Sequence, residues 1–325
     1  MEDKLSLAQV AFVCDQVDIH STSAWYQRVL GFLPAGWTDE FGGPELARLQ
    51  RLSDPDCKMT LSWLVERNED FQLELFEYEQ PASRPRPAAW TPRDIGYVLT
   101  TLFVEDFEGA LERARDESAV RAEPTGPEGA RRALIADPNG ILLELLEEDV
   151  APPAATARPE VGVAIRSVRA SVPDLEKSLA FFRDTCGLEL VDRRLHEPEH
   201  EALWGLAGAE PEIRVLAAGE IFLELAQYRD PAGSPRPDDH QLSDGGVMNI
   251  ALATDSMPFY EEMRDRIEAA GYESREFIPG EQVAVSYVAD DQGFSLELLY
   301  MAKEAYADFG FVPVPPAAGA PSPAG

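Results

Sequence analysis

One passage is written twice in this chain. Residues 71–87 read FQLELFEYEQPASRPRP, and residues 221–237 read IFLELAQYRDPAGSPRP. Leu73, Glu74, Leu75, Tyr78, Pro81, Pro85, Arg86 and Pro87 recur as Leu223, Glu224, Leu225, Tyr228, Pro231, Pro235, Arg236 and Pro237, at an offset of 150 (224 − 74). Two other passages recur at nearby offsets, 156 (181 − 25) and 153 (289 − 136). WYQRVLGF (25–32) has a counterpart in FFRDTCGLEL (181–190), and ADPNGILLELLE (136–147) in ADDQGFSLELLY (289–300). Similarity over most of the chain makes the repeated unit a whole domain. A length of 325 residues suits two such domains. The expected organisation is a first domain at 1–150, a linker at 151–161, a second domain at 162–303 and a tail at 304–325. Linker and tail are rich in Pro and Ala without periodicity, so the tail is expected to be disordered.

Each copy has an internal order. A short apolar strand opens it, AQVAFVCDQV in the first copy and IRSVRASVPDL in the second. A helix follows: Ser21, Thr22 or Ser23 is placed to cap the first, Pro173 and Asp174 to start the second, and Gly31 and Gly187 to end them. Further strands end at the LEL passage. The pattern then restarts with VLTTLFV (98–104) or MNIALAT (248–254), a second helix, and strands ending at a second xxEL. Each copy therefore reads as βαβββ written twice.

Composition narrows the partners. A formal net charge of −31, from 28 Lys+Arg against 59 Asp+Glu, repels phosphate backbones and anionic membranes. A small-molecule ligand is expected, with no nucleic acid and no membrane, and a homodimer is compatible with the sequence. Cys14, Cys57 and Cys186 are odd in number and far apart, so no disulfide framework is expected. The N-terminus lacks a basic segment followed by an apolar run, and a cytoplasmic protein is the expectation. No GxGxxG before a helix, Walker loop, GxSxG elbow or HExxH occurs.

The helix ending in LGF, the ELxxY exits with their prolines, and the DPNG turn before an xxEL strand, in this order and twice over, resemble the vicinal oxygen chelate superfamily. That group includes glyoxalase I, extradiol dioxygenases and bleomycin-resistance proteins. The resemblance covers about residues 6–148 and 162–302. It implies an α+β fold of tandem domains, each with two βαβββ modules forming a curled mixed sheet around a cavity. It also implies metal ligands on the first and last strands of each module, usually His, Glu or Gln, His and Glu. Carried over, the first-strand slots fall on Gln9 and Ser167, the fifth-strand slots on Leu99 and Asn249, and the carboxylate slots on Glu74, Glu224, Glu144 and Glu297. All four carboxylates persist and no histidine does. Leu99 cannot bind a metal, and Ser and Asn are poor ligands for a soft or borderline ion. No metal site and no cofactor are therefore assigned, although a divalent metal held by the Glu pairs stays open as an alternative. His20, His196, His200 and His240 read as solvated loop residues.

The four glutamates are the candidate catalytic residues. Side chains at i±2 share a strand face. Glu144 shares one with Leu142 and Leu146, and Glu224 with Phe222 and Ala226. Acids in such company are costly unless paired, and burial raises their pKa. The expected arrangement faces Glu74 with Glu144 and Glu224 with Glu297, each pair sharing a proton. Ser167, Arg169, Asn249, Gln9, Thr101, Phe103 and Trp63 are the expected substrate-binding residues. The second copy, with Ser167, Arg169 and Asn249, is expected to be the better suited to polar chemistry.

Three functions fit: a metal-independent isomerase, lyase or cyclase acting on a small oxygen-rich substrate such as an aromatic secondary metabolite; a non-catalytic sequestration protein of the resistance type; and a metal-dependent glyoxalase- or dioxygenase-like enzyme. Acids kept in apolar strands favour the first.

Overall fold

The computed structural model describes residues 4–151, 158–290 and 292–314. The first module runs β1 (Ser6–Val13), α1 (Ile19–Leu30), β2 (Leu33–Gly42), α2 (Pro44–Leu49), β3 (Lys58–Val65) and β4 (Gln72–Gln80); the second runs β5 (Gly96–Val104), α3 (Phe107–Asp116), β6 (Val120–Thr125), β7 (Arg132–Ala136) and β8 (Leu142–Leu146). The third comprises β9 (Val163–Ser171), α4 (Leu175–Leu179) with a π-helical turn at Ala180–Thr185, β10 (Glu189–Val191), β11 (Glu212–Ala218) and β12 (Ile221–Gln227); the fourth comprises β13 (Gly246–Thr254), α5 (Met257–Ala269), β14 (Glu273–Gly280), β15 (Val283–Ala289) and β16 (Ser295–Met301).

Local signals explain the helix ends. Asp174 caps α4 through the Lys177 amide at 3.2 Å. The cap of α1 is Asp18, which accepts from the Ser21 amide at 2.9 Å, so the expected cap at Ser21–Ser23 lies one turn too late. Gly31 ends α1 at φ 82°, a conformation that glycine adopts without steric cost.

The α+β class, the four βαβββ modules and the mixed sheets are as expected. Which modules share a sheet is not. The strand orders are β14-β15-β16-β13-β1-β4-β3-β2 and β10-β11-β12-β9-β5-β8-β7-β6. Modules one and four build one sheet, hereafter the outer-module sheet, and modules two and three build the other, the inner-module sheet. The seams are the antiparallel pairs β1–β13 and β5–β9. The proline-rich passages after β4 and β12 carry the chain from one sheet to the other. All four opening strands are buried along almost their whole length, so nothing in their burial pattern chooses the partner.

A continuous core lies on one side of each sheet. Val10, Phe12, Leu73 and Leu75 from the outer-module sheet, and Val163, Ile165, Leu223 and Leu225 from the inner-module sheet, join Trp25 and Tyr26 of α1, Leu111 of α3, Phe181 and Phe182 of the π turn, and Met263 and Ile267 of α5. Each such side chain contributes roughly 1.5–3 kcal/mol relative to exposure. The opposite, inner faces carry smaller clusters and the polar groups.

The expected disorder of the tail fails for 304–314. Phe311 is buried, the Gly36 amide donates to Val312 O, Val314 N donates to Pro34 O at 2.8 Å, and Ala35 and Pro313 form a bridge. Burial of one aromatic side chain and an edge partner on β2 order this stretch. Residues 315–325, and most of the linker (152–157), lie outside the described residues.

Candidate functional site

Strand register places the carboxylates. In the outer-module sheet one row reads Trp63–Glu74–Ala11–Asn249, and the neighbouring row on the same face reads Tyr287–Glu297–Ala251–Gln9–Gln72. In the inner-module sheet the matching rows are Val215–Glu224–Arg169–Leu99 and Leu134–Glu144–Thr101–Ser167–Phe222. Each sheet thus presents two glutamates on its inner face. The pairs are Glu74 with Glu297 and Glu144 with Glu224, correcting the within-copy pairing expected from the sequence. The cause is the crossed sheet.

The outer-module centre holds two acids and no positive partner among the described residues. Burial pushes Glu74 up to about 8, and the neighbouring Glu297 charge adds to the rise, while the Trp63 indole, donating to Glu74 Oε1 at 2.7 Å, opposes it. Burial likewise raises Glu297 to about 7, against the pull of the Tyr287 hydroxyl and the adjacent Asn249 amide. Gln9 Oε1, an acceptor, is buried and lacks a partner, and the Asn249 amide lies beside Glu297 without a close hydrogen bond. With its amide oriented to satisfy its neighbours, Gln72 donates to the carbonyls of Phe309 and Gly310 at 2.9 and 2.6 Å and accepts from Gln9 Nε2 at 2.5 Å. Around them stand Leu61, Phe76, Tyr78, Met248 and Tyr287, with Leu49 of α2 packed over the sheet. Glu74 and Glu297 are buried, with 5% and 6% exposure.

The inner-module centre is closed. Glu144 and Glu224 have no exposed surface. His196 lies between them: Nδ1 is 2.9 Å from both Glu224 oxygens, and Nε2 is 2.7 Å from Glu144 Oε2. Arg169 pairs with Glu224 at 3.2 Å and donates to Glu201 at 2.8 Å; Arg132 donates to Glu144 at 3.1 Å. The Trp204 ring lies 4.5 Å from the Arg169 guanidinium and 4.8 Å from the His196 ring. Burial alone would strip the proton from His196, but the two carboxylates outweigh it and raise the imidazole to about 9. Burial would also protonate the acids. His196 and Arg132 instead hold Glu144 down at about 2, and His196 and Arg169 hold Glu224 below its usual range. Three carboxylates, Glu144, Glu201 and Glu224, are balanced by Arg132, Arg169 and protonated His196.

The expected site residues divide between these centres. Gln9, Trp63, Asn249, Glu74 and Glu297 meet in the outer-module sheet. Ser167, Arg169, Thr101, Glu144 and Glu224 meet in the inner-module sheet, where Thr101 Oγ1 donates to Glu144 at 3.4 Å and Ser167 Oγ has no partner. Phe103 joins neither; it lies farther along β5, with the Arg67 guanidinium 5.4 Å from its ring. Leu99 occupies a slot beside Arg169 and Glu224, so its argument against a metal applies there and not to Glu74. The second copy, expected to have the cavity better suited to polar chemistry, does not bring its polar residues into one cavity. Its Ser167 and Arg169 lie in the sealed centre, and its Asn249 in the other. His196 is buried, not solvated. It sits in a segment without periodicity, but the apolar run of Leu195, Leu203, Trp204 and Leu206 around it was a sign that the segment is covered.

The resemblance implies a divalent metal. In the outer-module centre the residues fit one: Gln9 Oε1 is an orphaned acceptor, and the two carboxylates lack a cation. Gln9, Glu74 and Glu297, with Asn249 Oδ1, would be the oxygen donors that hold a hard ion, which would polarise a substrate oxygen. The inner-module centre does not fit, because Leu99 and Ser167 fill two slots and His196 occupies the space between the acids. Among the described residues no cluster of three or more His, Cys, Asp or Glu is arranged to hold a metal.

Tandem βαβββ modules, mixed sheets that cross between copies and an inward carboxylate pair on each sheet define a vicinal-oxygen-chelate protein. The sequence profile of the Glyoxalase/Bleomycin resistance protein/Dioxygenase superfamily matches residues 8–145 and 164–298, and the chain belongs to that superfamily. Glyoxalase I from Zea mays is similar in fold: TM-score 0.61 at 16% identity, over 92% of this chain and 93% of that one. A putative dioxygenase from Bacillus subtilis subsp. subtilis str. 168 gives a TM-score of 0.59 at 14% identity, over 95% and 91%. No curated protein matches the chain. Among the described residues no helix is long and apolar enough to cross a membrane.

Proposed function

We propose that the chain is an enzyme whose chemistry runs at the outer-module centre and consists of proton transfer at carbon beside a substrate oxygen. The observation that carries this reading is the pair Glu74 and Glu297. They are buried without a cation, and their proton affinities lie near neutral pH. Two adjacent carboxylates ionise in turn, so near neutrality one holds a proton and the other does not, which supplies an acid and a base in one place. The Asn249 amide beside Glu297 offers its Nδ2 donor to a carbonyl or enolate oxygen, and Gln9 Oε1 is an unused acceptor for a hydroxyl. An α-hydroxycarbonyl, or a phenol that behaves as its enol, would satisfy both. Trp63, Phe76, Tyr78 and Tyr287 favour a flat apolar body beside these oxygens. Isomerisation, lyase chemistry or cyclisation would use the same steps: one carboxylate removes the C–H proton, its partner returns a proton to carbon or oxygen, and the amides hold the oxygens.

The orphaned Gln9 Oε1 supports a second reading in which the same four residues hold a divalent ion. Elemental analysis of purified protein, with and without chelation, separates the two.

The test is hydrogen–deuterium exchange at the carbon beside the carbonyl in a panel of α-hydroxyketones and phenols, followed by NMR. Glu74→Gln and Glu297→Gln each should reduce exchange by about 100-fold or more, the usual weight of general acid–base catalysis. Exchange that persists in both folded variants would overturn the reading and leave a binding protein.

A further inference from the structure

The repeated exits Pro85-Arg86-Pro87 and Pro235-Arg236-Pro237 take no part in either carboxylate centre, yet they line a single cavity of about 330 Å³ where the two crossings meet. Both arginines are held there by the backbone. Arg86 donates to Gly140 O and lies 4.1 Å over the Trp90 ring; Arg236 donates to Gly293 O at 2.9 Å and lies 5.5 Å from the Phe294 ring. Each rests against a glycine that opens a first strand. A Cβ on Gly246 (φ +130°) would come within 3.2 Å of Arg86 Cδ, and one on Gly96 (φ +150°) within 3.1 Å of Arg236 Nη2.

Neither arginine makes an ion pair among the described residues, although the chain has about twice as many acids as bases. The acids that line the cavity are otherwise engaged. Asp94 accepts from Thr91 N and Ser234 N, both at 2.7 Å. Asp239 and Asp244 clasp Arg84 at 2.5 and 2.7 Å, and Asp244 also faces His240 at 3.2 Å. Near Arg86, Asp137 takes Tyr26 Oη, Asn139 N and Ile141 N, and Asp15 lies close without a hydrogen bond. Near Arg236, Asp290 accepts from Gln292 N and Phe294 N. Burial pulls both guanidinium groups below their ordinary value, and the nearby acids only partly offset it.

We infer that this cavity is a binding site for a small dicarboxylate, one carboxylate on Arg86 and the other on Arg236, its carbon chain against Trp90, Ile95 and Val247. A guanidinium keeps further N–H groups after one bond to a carbonyl, in the fork that matches a carboxylate. Two like charges that share one cavity without ion pairs of their own repel, and a ligand with two negative ends relieves both. The duplicated motif supplies the two-ended recognition.

Titration calorimetry on the full chain tests the site with succinate, glutarate, butyrate and inorganic phosphate as probes. Glutarate or succinate should bind at least about ten-fold more tightly than butyrate, and Arg86→Gln or Arg236→Gln should each weaken that binding by about ten-fold or more. Glu74→Gln and Glu297→Gln should leave it unchanged. No saturable heat from either dicarboxylate, butyrate or phosphate binding as well as glutarate, or full binding in both arginine variants would overturn the proposal. Should an arginine variant fail to fold, the fluorescence change on adding glutarate decides: it should vanish in Trp90→Phe, and its persistence there places the ligand elsewhere.

Discussion

Trp63 shows how much one contact governs at the outer-module centre. Its indole N–H is the hydrogen bond that opposes the rise in Glu74, and its ring is held by two glycines distant in sequence. A Cβ on Gly310 (φ +78°) would lie 2.3 Å from Trp63 Cγ, and one on Gly36 (φ +58°) 2.9 Å from Trp63 Cε3. Trp63→Phe keeps most of the ring and removes the donor, so the titration of Glu74 should move further up. Gly310→Ala should move it the same way by displacing the indole. Carbon NMR of carboxyl-labelled glutamate reads this directly, and an unmoved Glu74 in Trp63→Phe would contradict it. The same acids set a pH dependence. Glu74 and Glu297 hold in the folded state protons that the unfolded chain releases at about 4.5, so the folded state is favoured at low pH. That advantage is lost as pH rises from 4.5 through 7 and 8. Urea unfolding across this window should show stability falling, and Glu74→Gln should flatten the fall.

At the scale of the element, the centres differ in what covers them. In module one α2 brings Leu49, and Gln50, which accepts from Tyr78 Oη at 2.9 Å. In module three the segment between β10 and β11 brings His196, Glu201 and Trp204. The glutamates were legible in the sequence because an acid between leucines breaks the apolar pattern of a strand. Their partners were not, since His196 reaches Glu144 across 52 residues and Glu74 reaches Glu297 across a sheet seam. Strand periodicity is a local signal and carries no information on such contacts. The covering segment leads to a prediction about stability. Removing one member of a buried ion group leaves the others unpaired, typically at 3–5 kcal/mol. Glu144→Gln, Glu224→Gln and His196→Ala should each lower stability by about that much, whereas Glu74→Gln and Glu297→Gln, which remove no ion pair, should cost far less. His196 gains its proton affinity on folding, so its contribution is complete below 6.5 and lost as pH rises through about 9; that of Glu144 is complete above 4.5 and lost as pH falls through about 2. Chemical denaturation at pH about 6 compares the variants where both contributions are present. Equal losses in the two sets would show that the inner-module network is not structural.

For the whole molecule, the crossed sheets decide whether each copy can stand alone. Cut between residues 152 and 157, the chain yields a first half with β1–β4 of one sheet and β5–β8 of the other. Neither β1 nor β5 would then keep its antiparallel neighbour, because β13 and β9 both lie in the second half. The bared edges are central strands, apolar and without the charges or prolines that protect natural edges. The modules are alike, however, so a second copy of the same half offers β5 to β1 and β1 to β5, closing both sheets by exchange. The first half alone should therefore be a dimer or aggregate, never a stable monomer. Mixed with the second half, it should form a one-to-one complex in which Glu74 and Glu297 titrate as in the intact chain. Light scattering after size exclusion gives the stoichiometry, and carboxyl NMR gives the titration. A first half that unfolds cooperatively as a monomer at micromolar concentration would show that its two modules close on each other, and that the seams are not what holds the sheets together.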